Sequence, residues 1–189
     1  MKRKIIIVGP AFPYRGGIAH FNNSLSLSFK EAGFDVKVYS FSLQYPSILF
    51  PGKTQYEEGK SPEGIEISSI INSINPLNWV QVANKIRKES PDYVIIRYWI
   101  PFMAPCLGTI ARLIKKNTKI LAITDNVIPH EKRIGDNILT RYFVRSCDAF
   151  LTLSSSVLDD LNKFTKTKNK IFIPHPIYDS FGEIVDTKK

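Results

Sequence analysis

Cysteine is scarce in this chain. Cys106 and Cys147 are the only two, far apart and with no CxxC pair. That excludes a disulfide framework and a zinc knuckle and makes the reducing cytoplasm the expected compartment. The three histidines, His20, His130 and His175, show no HxxxH spacing, so no metal site is expected. No GxGxxG follows a strand, which counts against a dinucleotide site, and no GxSxG elbow surrounds Ser154-Ser155-Ser156, which counts against a serine hydrolase. A long uninterrupted apolar run is also missing. The greasiest stretch, Tyr93 to Leu113, is broken by Arg97, Pro101, Pro105 and Arg112, whereas a bilayer span needs roughly 20 mostly apolar residues. Lys2-Arg3-Lys4 ahead of Ile5–Val8 has the charge of a signal peptide, but the run stops at Gly9-Pro10 and reads as a first strand. No internal repeat is visible.

What is present suits one globular unit of 189 residues, with 43% hydrophobic and 23% charged residues. The formal net charge is +9. Much of it flanks expected elements, in Lys2-Arg3-Lys4, Arg87-Lys88, Lys115-Lys116 and the spaced set Lys163, Lys166, Lys168 and Lys170. Solvated helix ends rank first as its explanation and attraction to an anionic membrane surface second. Nucleic acid ranks last and is not an expected partner.

Short apolar runs alternate with helix-length amphipathic segments throughout, the pattern of an α/β fold with a mostly parallel sheet and helices on both faces. Strands are expected at Lys4–Val8, Asp35–Phe41, Ile65–Ile71, Asp92–Tyr98, Lys119–Thr124, Ala149–Leu153 and Lys170–Ile173. In the first helix Ile18, Phe21, Leu25, Phe29 and Ala32 make an apolar face, and Asn22, Asn23, Ser24 and Ser28 fall elsewhere. Gly33 supplies its stop. Gln44 to Gly64 reads as a long loop. Asn75-Pro76 resembles an N-cap with proline in the first turn of a helix that runs to about Ser90. Further helices are expected at Pro105–Lys116, with Ile110, Leu113 and Ile114 inward, and at Asp136–Ser146. Ser156 and Asp159 resemble a capping box opening the last helix, with Leu158 and Leu161 inward. The tail from Pro174 turns polar and irregular.

Ligands of parallel sheets bind beyond the carboxyl ends of the strands, so the residues after each strand carry the functional signal. Gly16-Gly17 precede the first helix, where unpaired backbone N–H groups and the helix dipole favour an anion and glycine lets a phosphate come close. A tight turn explains the same pair equally well. His130, in a polar strand-tip loop beside Glu131, has a candidate partner to fix its tautomer; its plainer reading is a loop cap. His20, one turn into the first helix, touches either a ligand or solvent, and packing is the better account of His175. Trp99 and Phe102 read as loop packing or as a platform for a sugar ring or apolar carrier.

Four stretches in order resemble glycosyltransferase family 4: the loop with Pro13, Gly16 and Gly17; Tyr98-Trp99-Ile100-Pro101-Phe102; Asp125-Asn126-Val127-Ile128-Pro129-His130-Glu131; and Pro174-His175-Pro176-Ile177-Tyr178-Asp179. The third departs from the family pattern, with Asp125 where a histidine is expected. The resemblance implies the amino-terminal, acceptor-side Rossmann-like half of a GT-B fold over residues 1–176, with residues 177–189 beginning an interdomain linker. The donor-binding second domain, with its paired glutamates, has no counterpart in these residues.

The same resemblance implies transfer of a hexose, with retention, from a UDP- or GDP-sugar to a glycan or lipid-linked acceptor, without a cofactor or essential metal. Its setting would be polysaccharide or cell-envelope assembly, in the cytoplasm or peripherally on the cytoplasmic membrane face. It casts His130 and Asp125 as catalytic, Gly16 and Gly17 as donor-diphosphate binders, and Arg15, His20, Trp99, Asn126 and Glu131 as acceptor binders. The donor would be held chiefly by the second domain, so this chain alone is expected to bind it poorly and to be inactive. The rival from another class is a free-standing, non-catalytic Rossmann-like binding domain. A single-domain hydrolase and a nucleic-acid binder follow.

Overall fold

The computed structural model describes residues 2–46, 54–129, 131 and 133–175. Strands β1 (Lys4–Val8), β2 (Asp35–Leu43), β3 (Glu66–Asn72), β4 (Tyr93–Tyr98), β5 (Lys119–Thr124), β6 (Ala149–Thr152) and β7 (Lys170–Phe172) form one sheet in the order β3-β2-β1-β4-β5-β6-β7. Every neighbouring pair is parallel, so the expected mostly parallel sheet is entirely parallel among the described residues. The chain winds outward from β1 to β3, then crosses back to β4 and winds the other way. The winding direction therefore reverses between β1 and β4, where loops at the carboxyl ends diverge and leave a crevice.

Helices α1 (Gly17–Glu31), α2 (Pro76–Glu89), α3 (Ala104–Ile114), α4 (Asp136–Val144) and α5 (Ser155–Asn162) cover the two faces unequally. Because side chains alternate along a strand, Val94, Ile96 and Tyr98 of β4 join a core with Ile86 of α2, Ile110 of α3, Phe143 of α4 and Leu161 of α5. Ile95, with Ile5 and Ile7, faces the opposite side and packs with Phe21 of α1. Helix α4 reaches α3 closely because Gly108 has no side chain: a Cβ there would lie 2.8 Å from Tyr142 Cε1. Arg112 lies over the Tyr142 ring, with its guanidinium carbon 3.6 Å from the centroid.

Element limits fall within one or two residues of expectation, but three face assignments need correction. Helix α1 buries Asn22, Asn23 and Ser26 along with Phe21, while Ala32 is exposed. The reason is local: the amino-terminal half of α1 packs against the backbone of the turn after β1, which needs a hydrogen-bond donor. Asn22 Nδ2 meets this need by donating to the Pro10 carbonyl at 2.8 Å. Leu113 of α3 points outward rather than into the core. The N-cap of α5 is Ser154, two residues ahead of the expected Ser156, and its side chain makes no capping bond. Ser154 and Ser156 instead pair hydroxyl to hydroxyl at 2.6 Å, and Val157 goes inward with Leu161. At α2 the expected cap is present: Asn75 Oδ1 accepts from the Leu77 and Asn78 amides at 3.0 and 3.3 Å.

The amino-terminal edge of the sheet carries the lysine-rich strand starts and helix ends, and several of these cations are already paired. Lys4 bridges Asp35 and Glu89, Lys37 bridges Glu66 and Glu89, and Lys115 bridges Asp148. At the lateral edge β7 is only three residues long, and Ile171 and Phe172 on it are exposed, next to Lys166, Lys168 and Lys170. Among the described residues no helix is long and apolar enough to cross a membrane.

Candidate functional site

All the segments singled out after strands β1, β4 and β5 lie at the carboxyl edge of the sheet, because each parallel strand delivers its loop there. The loop after β1 ends at Gly16, the N-cap of α1, with φ +114°, a conformation that favours glycine. No side chain caps this helix and no acidic residue occupies its first turn, so its leading amides face solvent. Neither Gly16 nor Gly17 has any atom within 4 Å of where a Cβ would stand.

This loop is tied to the far side of the long β2–β3 connection. Tyr14 and Tyr56 form an antiparallel bridge, and the Arg15 amide donates to the Gln55 carbonyl at 3.0 Å. The result is an open cleft with Arg15, Gly16 and His20 on one wall and Tyr56, Glu57 and Glu58 on the other. His20 Nε2 stands 3.5 Å from Glu57 Oε2.

A second cleft of about 250 Å³ lies above β4 and β5. Tyr45, Ile100, Phe102 and Pro129 form its apolar side; Glu131, Arg133 and Asp136 form its polar side. Trp99 is half-buried beneath it, with its Nε1 donating to Tyr45 Oη at 2.6 Å and its ring edge-on to Phe41. Burial raises the Tyr45 phenol, against the pull of that Trp99 bond, so Tyr45 stays a neutral hydroxyl. The Asp125–Pro129 loop is held by its buried middle: Thr140 Oγ1 donates to the Val127 carbonyl at 3.2 Å and is 3.0 Å from Tyr98 Oη. The Tyr98 ring stacks on Phe143 at 4.2 Å.

At the crevice between β1 and β4 sits a cluster built on Arg97, a residue to which the sequence reading gave no role. Arg97 is fully buried near the end of β4 and grips Asp125 side-on, its Nε donating to Oδ2 at 2.6 Å and its Nη2 to Oδ1. The Phe21 ring lies 4.2 Å from the guanidinium carbon, and His175 meets Phe21 edge-on at 5.6 Å. Gly9 makes the approach possible, since a Cβ there would stand 2.8 Å from both Arg97 Cβ and Asn22 Nδ2. Arg97 Nη1 and Asn22 Oδ1 are buried with no protein partner. Burial pushes the Asp125 carboxyl above its ordinary range, opposed by the Arg97 charge.

The structure thus brings Arg15, Gly16 and His20 together in one cleft, puts Glu131 in the other and seats Trp99 under it. Asp125 has both oxygens engaged, and Asn126 is half-buried beside it. Gly17 opens α1 at the rim. His130 and residues 176–189 lie outside the described residues. The signal for Arg97 was available in the sequence: a lone arginine in a strand otherwise buried on both faces has to find a partner within the fold.

A doubly wound parallel sheet with clefts along its carboxyl edge is the architecture of one Rossmann-like half of a GT-B enzyme. Residues 15–179 match the family described as Glycosyltransferase Family 4, and the chain belongs to that family. Among solved structures it is similar to sucrose-phosphate synthase from Thermosynechococcus elongatus, with TM-score 0.61, 10% identity, and coverage of 91% of this chain and 48% of that one. The catalytic domain of starch synthase IV from Arabidopsis thaliana, bound to ADP and acarbose, matches with TM-score 0.58, 12% identity and coverage of 93% and 52%. UDP-N-acetylglucosamine 2-epimerase from Rickettsia bellii matches with TM-score 0.57, 11% identity and coverage of 91% and 44%. The chain therefore spans about half the length of these proteins, and at such identities the likeness is one of fold. No curated protein matches in sequence.

Proposed function

We propose that this chain supplies the acceptor-side wall of a retaining hexosyltransferase, which moves a hexose from a UDP- or GDP-sugar to a hydroxyl of a glycan or lipid-linked acceptor. The observation that carries the reading is the meeting of three strand-tip segments of a family 4 chain at one sheet edge, around the β1–β4 crevice. The second cleft, at about 250 Å³, lies just under the ~300 Å³ at which drug-sized sites begin, which suits one sugar unit on an apolar stem.

In this reading the α1 amides at Gly16 and Gly17 approach the departing diphosphate and stabilise its growing charge. Arg15, His20, Asn126 and Glu131 bind acceptor hydroxyls, and Trp99 backs the sugar through Tyr45. His130 and Asp125 orient the reacting hydroxyl, with Asp125 held rigid by Arg97. The cleft closes against a donor-binding domain, which contributes most of the nucleotide-sugar affinity. Polysaccharide or cell-envelope assembly, at or near the cytoplasmic membrane face, is the setting that fits.

Titration of the purified chain with UDP- and GDP-sugars, then with a donor-binding half added as a separate chain, tests this division of labour. Weak donor binding alone and sugar transfer only with the added half is the expected result. Tight donor binding by this chain alone would falsify the division, and acceptor binding without transfer in the reconstituted pair would favour a non-catalytic binding domain.

A further inference from the structure

Ile134, in the turn entering α4, and Ile138, in its first turn, are 109% and 73% exposed. Two isoleucines four residues apart in open solvent cost hydration free energy that a packed surface would recover. Beside them Arg133, Arg141 and Arg145 are exposed, and none has an ion pair among the described residues. At the opposite sheet edge Lys4, Lys37 and Lys115 are committed to carboxylates, while Lys116 and Lys119 are exposed with no ion pair among the described residues and no exposed isoleucine pair beside them, which makes them the control for charge alone. Exposed apolar groups flanked by unpaired arginines on one short helix are the chemistry of a headgroup-level anchor: the isoleucines enter the acyl boundary and the guanidiniums meet lipid phosphates.

Position strengthens the case. Helix α4 begins at the carboxyl edge of β5, and Arg133 and Asp136 at its entrance line the apolar cleft with Ile100 and Phe102. At the same edge, Leu77 in the first turn of α2 is 76% exposed. We infer that the exposed face of α4 and its entering turn dock this domain on an anionic lipid bilayer, so that the apolar cleft opens at headgroup level. The inference deepens the proposed lipid-linked acceptor and rests on it for its purpose; its test reads lipid binding with no sugar transfer, so each can fail without the other.

The experiment is co-sedimentation of the whole chain with vesicles of phosphatidylcholine alone and of phosphatidylcholine with phosphatidylglycerol. Three double variants are compared: I134S/I138S, R141E/R145E, and K116E/K119E at the opposite edge. Thermal unfolding confirms that each still folds. Binding is expected only to the phosphatidylglycerol vesicles. Each α4 variant should lower the partition coefficient by about tenfold or more, and K116E/K119E should lower it less. No binding to phosphatidylglycerol vesicles overturns the inference, as does a larger loss from K116E/K119E than from either α4 variant. Self-association without lipid that I134S/I138S abolishes also overturns it, because the face would then belong to a second copy of this chain.

Discussion

Arg97 and Asp125 join the tips of adjacent strands β4 and β5 through two parallel hydrogen bonds, with the arginine side chain 2% exposed and the aspartate side chain 22%. The partners are unequal in what each can do when left alone. A guanidinium cannot shed its proton, whereas a partly exposed carboxyl can gain one or meet water. Removing Asp125 strands a buried charge, so Asp125→Ala should cost about 3–5 kcal/mol. Arg97→Met should cost clearly less. Urea unfolding of both variants measures the difference, and the reverse order would show that the pair is held by something other than arginine burial.

Glycines at the site separate fold from function. Gly9→Ala drives a methyl into Arg97 and Asn22, and should destabilise by about 1–3 kcal/mol. Gly17→Ala meets nothing within 4 Å and starts a helix, so its stability should stay level or rise by up to about 1 kcal/mol. If a diphosphate approaches the α1 amides, Gly17→Ala should nonetheless weaken donor binding in the two-half assay. Unchanged donor affinity would remove Gly17 from the site.

At the amino-terminal edge, Glu89 accepts from Tyr39 Oη and faces Lys37 and Lys4. Burial tends to raise its carboxyl, but these donors win and hold it below the ordinary glutamate value of 4.5. A depressed carboxyl stabilises the fold above its unfolded value and loses that contribution as pH falls through the folded value. The wild-type chain should therefore unfold at higher temperature than Glu89→Gln at neutral pH, and the gap should close as pH drops below about 4.5. A gap that is constant down to pH 3 would mean that Glu89 contributes shape alone.

Cys106 and Cys147 sit in the core, and burial pushes both thiols up to about 12. Neither should react with iodoacetamide at pH 8 in the folded chain, and both should react in denaturant. Mass spectrometry counts the adducts; rapid native alkylation at Cys106 would contradict the packing of α3.

The sheet was legible because its strands are short, apolar and set between amphipathic helices, and β1 and β5 match the expected limits residue for residue. The site was legible only at its rim. Gly16, His20 and Glu131 stand out as glycine or polar residues next to strand tips, and they do line clefts. The interior of the site was hidden by the same reasoning. Periodicity sends Asn22 and Asn23 to solvent and treats Arg97 as an interruption of an apolar run. In the fold, Asn22 serves the backbone of the turn after β1 and Arg97 serves Asp125, a residue one strand away. Such pairings depend on which strands become neighbours, and spacing within one segment carries no trace of that.

The short outer strand β7 bears on how copies of this chain behave together. Among the described residues no strand pairs with its outer side, which leaves backbone groups and the greasy side chains of Ile171 and Phe172 to any extended segment that drifts alongside. Lys166, Lys168 and Lys170 stand guard there by like-charge repulsion rather than by shape. That defence works only over the range of an unscreened field, and at 1 M salt the range shrinks to roughly 3 Å. Concentrated stocks should therefore keep best in dilute buffer, and salting should bring edge-to-edge clumping forward.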